Sequence, residues 1–120
     1  MAERDPDPKC LFCRLVKREV PVDVVRETED LLAFNDVNPQ APRHVLVIPK
    51  EHIPTTNDVR VDEAALIGRM VLLARDIAED HEFSETGYRL VLNCNRHAGQ
   101  SVFHIHLHLL GGRFMGWPPG

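Results

Sequence analysis

The feature that most constrains the fold is a run near the end of the chain, His104–Leu110 (HIHLHLL), in which histidine alternates with an aliphatic residue. Successive side chains of a strand point to opposite faces. The alternation therefore predicts a strand over Val102–Leu110 with imidazoles on one face and aliphatic side chains on the core face. The imidazoles are those of His104, His106 and His108, and the aliphatic side chains are those of Ile105, Leu107 and Leu109.

Three imidazoles in strict alternation indicate a functional groove. One histidine on a strand is usually a satisfied core or surface residue, but that explanation does not extend to three in a row. A His-x-His pair on a strand can chelate zinc. Alternatively, a neutral imidazole can attack phosphorus and form a transient covalent intermediate. Imidazole titrates near neutrality, so its nucleophilic form is populated at pH 7. These residues alone leave both chemistries open.

The remaining periodicities predict an α+β domain. One long helix over residues 62–80 packs on an antiparallel meander, and a hairpin turn lies at Glu27–Asp30. Residues 1–8 are expected to be a disordered lead-in, and residues 9–120 a single domain. The other predicted elements are a short helix over 10–18 and strands over Val22–Arg26, Leu31–Phe34, His44–Pro49 and Gly87–Leu92. The buried stripe of the long helix is predicted to be Ala65, Leu66, Met70, Leu73, Ile77 and Ala78.

Composition narrows the function classes. A formal net charge of −4 argues against a dedicated nucleic-acid binder, which usually carries a basic face. It does not argue against a small anionic ligand, because local donors hold a phosphate. We expect no membrane partner, since no apolar run is long enough to span a bilayer. Three cysteines, an odd number, do not indicate a disulfide framework. The N-terminus lacks the apolar core of a signal peptide, so a cytoplasmic setting is expected.

The closely spaced pair Cys10 and Cys13 indicates metal binding or redox chemistry. With His52 and one histidine of the later run, the pair could complete a Cys2His2 tetrahedral zinc site. A redox role lacks the βαβ context of a thioredoxin motif. The third interpretation is two cysteines on a helix face, one of them simply buried.

Taken together, these residues closely resemble the histidine triad family, whose signature is His-φ-His-φ-His-φ-φ with φ apolar. The likeness extends through residues 34–49 (FNDVNPQAPRHVLVIP) and Gly99–His104 (GQSVFH). The ending Gly111–Gly120 is similar to the Hint branch, the nucleoside phosphoramidases, rather than to the Fhit branch of dinucleoside polyphosphate hydrolases. The resemblance implies a five-stranded antiparallel sheet with one long and one short helix. It also implies a homodimer in which two sheets join as ten strands.

The resemblance implies a role for each signature histidine but the first. His106 would attack the α-phosphate of a purine nucleoside phosphoramidate and carry the nucleotide until water releases the monophosphate. His108 and His44 match positions that contact the phosphate and relay protons, and Ser101 matches a hydroxyl that bonds the phosphate or leaving group. The alternatives are a dinucleoside polyphosphate hydrolase, a nucleotide-binding or scaffold protein with incidental catalysis, and a zinc hydrolase.

Further positions match the nucleotide pocket of that family. Asp36 would accept the ribose hydroxyls, Asn93 would contact the phosphate or ribose, and Trp117 would shape the pocket of the partner subunit. Apolar walls form few hydrogen bonds with the base, so only a modest preference between adenine and guanine is expected. The apolar walls around the base would be Phe12, Leu15, Phe34, Val37 and Leu46, and the phosphate loop would be Gly99, Gln100, Ser101 and Val102.

The resemblance also assigns the metal ligands. In zinc-binding relatives the cation is held by two cysteines, a downstream histidine and the first histidine of the signature. The matching residues here are Cys10, Cys13, His52 and His104. Four protein ligands leave no open position for water, so such a zinc would be structural. Animal Hint proteins generally lack the cysteine pair, so this chain combines a zinc-type start with a Hint-type end; no organic cofactor is expected.

Overall fold

A computed structural model describes residues 4–120 and contains five strands and two α-helices. The five-stranded antiparallel sheet and the long helix confirm the predicted fold class. The helices are α1 (Leu11–Val16) and α2 (Ala64–Asp80). The strands are β1 (Val24–Glu27), β2 (Leu31–Asn35), β3 (Arg43–Pro49), β4 (Tyr88–Val91) and β5 (Leu107–Gly111). Single 3₁₀ turns lie at Thr56–Asp58, Val61–Glu63 and Arg96–Ala98.

The strand order is β1-β2-β3-β5-β4, so the prediction of a simple meander is wrong. The last strand inserts between β3 and β4, with antiparallel pairing on both sides. This insertion places the end of the histidine run next to the central strand. Through the register, Phe34 of β2 lies opposite Leu46 of β3, which lies opposite His108 of β5. We call these three positions the cross-strand row.

The predicted strand Val102–Leu110 is too long at its beginning, since regular pairing starts only at Leu107. The preceding residues bond elsewhere: the Ile105 N–H donates to the carbonyl of Ile53 at 2.7 Å. The His104 ring is completely buried and bonds the carbonyl of Pro49. These contacts hold the segment against the chain that follows β3. Of the three histidines, only His108 therefore lies within the regular strand.

The sheet buries a different apolar layer on each face. Leu107 and Leu109, as predicted, pack with α2 in the larger layer, which Phe83 closes. The predicted stripe of α2 is confirmed at Met70, Leu73, Ile77 and Ala78. Ala65 is exposed, contrary to prediction, because the helix begins at Ala64 and its first turn extends beyond the core. The smaller layer contains Cys10, Phe12, Cys13, Leu15, Leu32, Phe34, Leu46 and Ile48, so it packs α1 on the opposite face.

The N-terminal segment contacts the start of α2. Arg4 forms an ion pair with Glu63 at 2.8 Å and bonds the carbonyl of Asp58. Of the lead-in predicted at 1–8, the first three residues lie outside the described residues. Among the described residues, neither helix is long and apolar enough to cross a membrane.

Candidate active site and metal-binding cluster

The orientation of His106 is set by the backbone of the residue two positions earlier. Its Nδ1 lies 2.8 Å from the carbonyl oxygen of His104. A carbonyl oxygen only accepts, so Nδ1 carries the proton and Nε2 keeps its lone pair. The edge of the Phe12 ring packs against the imidazole, with ring centroids 5.1 Å apart. This arrangement presents a neutral, oriented nitrogen nucleophile.

A second set of bonds fixes the tautomers of two more imidazoles. The backbone N–H of Gln40 donates to Nδ1 of His44 at 3.0 Å, so the proton of neutral His44 resides on Nε2. That Nε2 lies 2.9 Å from Nδ1 of His108 and donates to it. His108 must then carry its own proton on Nε2, and its ring lies beside that of His106 with centroids 5.0 Å apart. The chain of bonds ends in an N–H donor beside the His106 ring.

Burial keeps these imidazoles neutral. It lowers the pKa of His106, although the bond to the His104 carbonyl opposes the shift. Burial, with the neighbouring His106 and His44, lowers the pKa of His108 to about 4. The pKa of His44 is also lowered by burial, while the Asp36 carboxylate at 3.5 Å raises it. At neutral pH the site therefore contains three uncharged rings.

The first histidine of the run belongs to a separate cluster. Nδ1 of His104 lies 3.4 Å from Sγ of Cys10, 3.5 Å from Sγ of Cys13 and 3.3 Å from Nδ1 of His52. The Cys13 sulfur is 3.3 Å from the same His52 nitrogen. In a tetrahedral zinc site, S···N separations are about 3.6 Å and N···N separations about 3.3 Å. These four residues can hold a metal ion.

The chemistry of the cluster also suits a cation. Nε2 of His104 is 2.7 Å from the Pro49 carbonyl, so its proton is on Nε2 and the Nδ1 lone pair faces the sulfurs. Burial raises the pKa of the Cys13 thiol to about 11, so this sulfur binds a metal only by releasing its proton. The backbone N–H of Cys13 donates to the Cys10 sulfur.

Asp36, His44 and His108 also bring three potential ligand atoms together. A metal at this position would need a lone pair on Nε2 of His44. That nitrogen carries the proton, because Nδ1 of the same ring accepts the backbone N–H of Gln40. With these tautomers, His44 has no lone pair to give a metal at this position.

An open cavity of about 700 Å³ lies on the α1 face of the sheet. Ten predicted site residues line it: Phe12, Leu15, Phe34, Asp36, Val37, Leu46, Ser101, Val102, His106 and His108. Imidazoles and the Ser101 hydroxyl therefore share one cavity with apolar walls. His44 is not part of the lining but contacts two residues that are, through its bond to His108 and its 3.5 Å approach to the Asp36 carboxylate. The cavity combines an apolar surface with a few convergent polar groups, which is typical of a small-molecule site.

Other predicted site residues lie outside the cavity lining, namely Asn93, Gly99, Gln100 and Trp117. The side chain of Gln100 is buried and fully engaged: its oxygen accepts from Asn95 N, and its Nε2 donates to the carbonyls of Pro54 and Val102. It therefore fixes the loop that carries Ser101. Trp117 is 83% exposed, and nothing in the described part of this single chain covers it.

Six of the cavity-lining residues are not among those predicted from the sequence: Leu11, Val20, Pro21, Val22, Asp23 and Asn35. Leu11 was recognisable, because it lies four residues before Leu15 on the same helix face. The predicted strand Val22–Arg26 begins too early, since β1 begins only at Val24. Asn35 donates a side-chain bond to Asp23 at 2.9 Å, a pairing between distant positions that the sequence pattern does not reveal.

Known proteins are similar to this chain in both sequence and structure. A sequence model of the family described as scavenger mRNA decapping enzyme C-term binding matches residues 9–117. The crystal structure of a HIT family hydrolase from Legionella pneumophila Philadelphia 1 superposes with a TM-score of 0.92 at 53% identity, covering 93% of this chain and 100% of that one. The chain belongs to the histidine triad family. This confirms the resemblance carried by the HIHLHLL run.

Two further relatives agree with this histidine triad assignment. The purine nucleoside phosphoramidase of Escherichia coli strain K12 is 49% identical over 106 residues, which cover 88% of this chain and 89% of that protein. The HIT family hydrolase from Clostridium thermocellum superposes with a TM-score of 0.89 at 45% identity, covering 92% and 96% of the two chains.

Proposed function

We propose that this histidine triad protein hydrolyses purine nucleoside phosphoramidates to the nucleoside 5'-monophosphate through a nucleotidyl-His106 intermediate. The single observation that carries the proposal is the 2.8 Å bond between Nδ1 of His106 and the His104 carbonyl. It leaves Nε2 unprotonated in a ring that lines the cavity. The similarity to the E. coli purine nucleoside phosphoramidase supports the choice of substrate class.

The reaction has two displacement steps at phosphorus. In the first, Nε2 of His106 forms a bond to the phosphorus while the P–N bond breaks and the amine leaves with a proton. The Ser101 hydroxyl lines the same cavity and is the group we assign to deliver that proton. In the second step water forms a bond to phosphorus and returns a proton to the Ser101 oxygen, the His106–P bond breaks, and the monophosphate departs.

The paired imidazoles stabilise the charge on the phosphoryl oxygens. His44 donates to His108, so the remaining N–H of His108 is Nε2–H, beside the nucleophile. This donor is fixed before substrate arrives, and preorganised donors act most strongly where water is excluded. Backbone N–H groups of the loop at Ser101 and Val102 are assigned to the same task.

The rest of the cavity fits a nucleoside. We assign Asp36 to the ribose hydroxyls, because it lines the cavity and its carboxylate lies 3.5 Å from Nε2 of His44. The base would lie against the aromatic pair Phe12 and Phe34, whose ring centroids are 5.5 Å apart in an edge-to-face contact. Burial of a purine against aromatic and aliphatic walls supplies most of its binding energy.

We assign the Cys10, Cys13, His52 and His104 cluster to a structural zinc ion. Zinc would supply a cross-link rather than catalysis, since all four positions come from the protein. The cluster joins α1 to the start of the histidine run, and the carbonyl of one of its ligands, His104, orients His106. The three free cysteines suit a reducing compartment, and we place the protein in the cytoplasm.

We further propose a homodimer in which β4, a sheet edge, pairs with its copy to give ten strands. An exposed strand edge offers unpaired backbone donors and acceptors for such pairing. Trp117 is exposed in the single chain, and the proposed role of the tail is to reach the cavity of the partner subunit.

The experiment that tests the function compares wild type with His106→Ala on adenosine 5'-phosphoramidate. Loss of the nucleophile should lower kcat/KM by about 10⁴-fold or more. His81→Ala is the matched control, since His81 is an exposed residue at the end of α2. Turnover by His106→Ala within tenfold of wild type contradicts the proposal.

A further inference from the structure

The polar groups of the cavity fall into two sets. His106, His108 and Ser101 serve the phosphate in the proposed function, and Asp36 serves the ribose. Two other polar residues line the same cavity without a role in that chemistry, Asp23 and Asn35. They form what we call the rim pair, joined by a 2.9 Å bond from Nδ2 of Asn35 to the Asp23 carboxylate.

The sheet register places the rim pair at the end of the cavity away from the nucleophile. The cross-strand row leads from His108 on β5 through Leu46 on β3 to Phe34 on β2. Asn35 directly follows Phe34, and Asp23 directly precedes the edge strand β1. Neighbouring strands are about 4.8 Å apart, so β1 lies about 14 Å from β5. A nucleotide with its phosphate at the histidines would extend its base along this row toward the rim pair.

The rim pair is fixed in position. The backbone N–H of Asn35 donates to the Asp23 carbonyl at 3.0 Å, in addition to the bond between the two side chains. Together the two bonds hold the loop before β1 against the end of β2. The Asp23 carboxylate is therefore oriented by its neighbour, although both residues are exposed to solvent.

The rim pair offers acceptors to a ligand. One oxygen of the Asp23 carboxylate accepts from Asn35; among residues 4–120, the other oxygen has no hydrogen-bond partner, nor has the side-chain carbonyl of Asn35. An ionised carboxylate accepts only. Guanine presents two adjacent donors on one edge, N1–H and the 2-amino group, which suit such an acceptor. Adenine presents the lone pair of N1 there, which a carboxylate repels.

We infer that Asp23, held by Asn35, reads the edge of the base and makes this site prefer guanine nucleotides to adenine nucleotides. The inference rests on the proposed function for the direction in which the nucleotide lies. The apolar walls alone predict only a modest preference between adenine and guanine. The rim pair gives that preference a direction, toward guanine. The pair is solvent-exposed, so water competes for the same donors and we expect a discrimination of about three- to fivefold.

Calorimetric titration with GMP, IMP and AMP tests the inference without requiring catalysis. Wild type should bind GMP about three- to fivefold more tightly than AMP. IMP keeps N1–H but lacks the 2-amino group, so its affinity should be intermediate. Asp23→Asn should bring the GMP-to-AMP affinity ratio to about one or below, because the new amide can donate to N1 of adenine. The ratio is the readout because removing a negative charge strengthens the binding of every nucleotide.

Glu29→Gln is the matched control, since it removes an exposed carboxylate that lies outside the cavity. It should leave the wild-type ratio unchanged. Equal or tighter binding of AMP by wild type overturns the inference, and so does a wild-type ratio in Asp23→Asn. Hydrolysis of guanosine and adenosine phosphoramidates is measured separately. If neither phosphoramidate is hydrolysed, the proposed function is contradicted. A GMP preference that depends on Asp23 would still support base recognition by the rim pair.

Discussion

The Nδ1 proton of His106 is donated to the backbone carbonyl of His104, across a distance of 2.8 Å. The same His104 turns its side chain into the cysteine cluster, where its Nδ1 faces both sulfurs. One residue therefore bonds His106 through its backbone and belongs to the Cys10, Cys13, His52 and His104 cluster through its ring. Phe12, which lies between the two cysteines in the chain, packs against the rings of both histidines. Substitutions in the cysteine cluster should therefore alter the orientation of His106 through the His104 carbonyl and the Phe12 ring.

Metal binding should stabilise the fold. We expect the protein to bind one equivalent of Co²⁺ with an intense thiolate-to-metal absorption band, because two sulfurs are in place. Removal of the metal by a chelator should lower the melting temperature by about 5 °C or more. Cys13→Ser should lose the band and most of the stabilisation, while Cys94→Ser, outside the cluster, should keep both. An unchanged band in Cys13→Ser would rule out this ligand set.

The imidazole pair predicts an acidic limit to activity that lies lower than usual. Burial lowers the pKa of His44 and of His108, that of His108 to about 4. Protonation of His108 at Nδ1 would set two N–H groups against each other, since Nε2 of His44 already donates there. Activity should persist below the ordinary histidine pKa of about 6.5 and fall only as the pH approaches 4.

The groups that face this pair are His106, whose lowered pKa acts in the same direction, and Asp36, whose negative charge opposes the shift. The measurement is kcat/KM against pH, with histidine titration followed by NMR. Both histidines have folded pKa values below the unfolded one, so the unfolded chain binds more protons in this range. Stability should therefore also fall as the pH drops from about 6.5 toward 4. An acidic midpoint at or above 6.5 would refute the assignment.

Gln100 should matter for the stability of the loop that carries Ser101. Gln100→Leu removes three hydrogen bonds and leaves Asn95 N and the Pro54 and Val102 carbonyls without this partner. Urea unfolding should show a loss of about 2–3 kcal/mol. The variant should also have a lower kcat/KM, because Ser101 and Val102 lose their support. Gln40→Leu is the comparison, as that side chain is exposed and bonds only a nearby carbonyl. Equal stability of the two variants would exclude the structural role.

A tight contact between Gly111 and Phe83 makes another position sensitive. A Cβ at Gly111 would lie 2.5 Å from the Phe83 ring, which closes the layer beneath α2. Gly111→Ala should destabilise the protein by about 1–3 kcal/mol through overpacking. Gly68→Ala is the control, because nothing lies within 4 Å of the new methyl on α2, and it should stabilise by up to about 1 kcal/mol.

Phe83→Leu combined with Gly111→Ala completes a double-mutant cycle, measured by thermal unfolding. The smaller side chain should relieve part of the clash, so the two changes should be non-additive. Purely additive effects would show that the ring does not cause the loss.

Much of this architecture follows from local pattern. The periodicity of α2 predicts its buried face at Met70 and Ile77, and the resemblance carried by the histidine run anticipates the site residues that share the cavity. The pattern could not predict that β5 is short, because His104 and Ile105 bond to the chain after β3 instead of to a strand ladder. Local alternation looks the same in both cases.

Contacts between distant segments could not be predicted from the sequence either. The Asp23–Asn35 bond arises from the pairing of β1 with β2, and the role of Gln100 in its loop depends on a carbonyl at Pro54. Neither partner is recognisable from spacing alone. The family resemblance places Gln100 in a phosphate loop, and its side-chain amide bonds Asn95, Pro54 and Val102 within the protein. Tertiary hydrogen bonds, rather than propensity, decide the use of such polar side chains.

The covalent intermediate tests the central claim most directly. Wild type is mixed with excess adenosine 5'-phosphoramidate, quenched by base within the first turnover, and analysed by intact and peptide mass spectrometry. Base is the suitable quench because phosphoramidate bonds to histidine are labile in acid. We predict an adenylate adduct on the peptide that carries His106, absent from His106→Ala and present in His81→Ala. Turnover with no adduct on that peptide, or an adduct on another residue, would contradict the account.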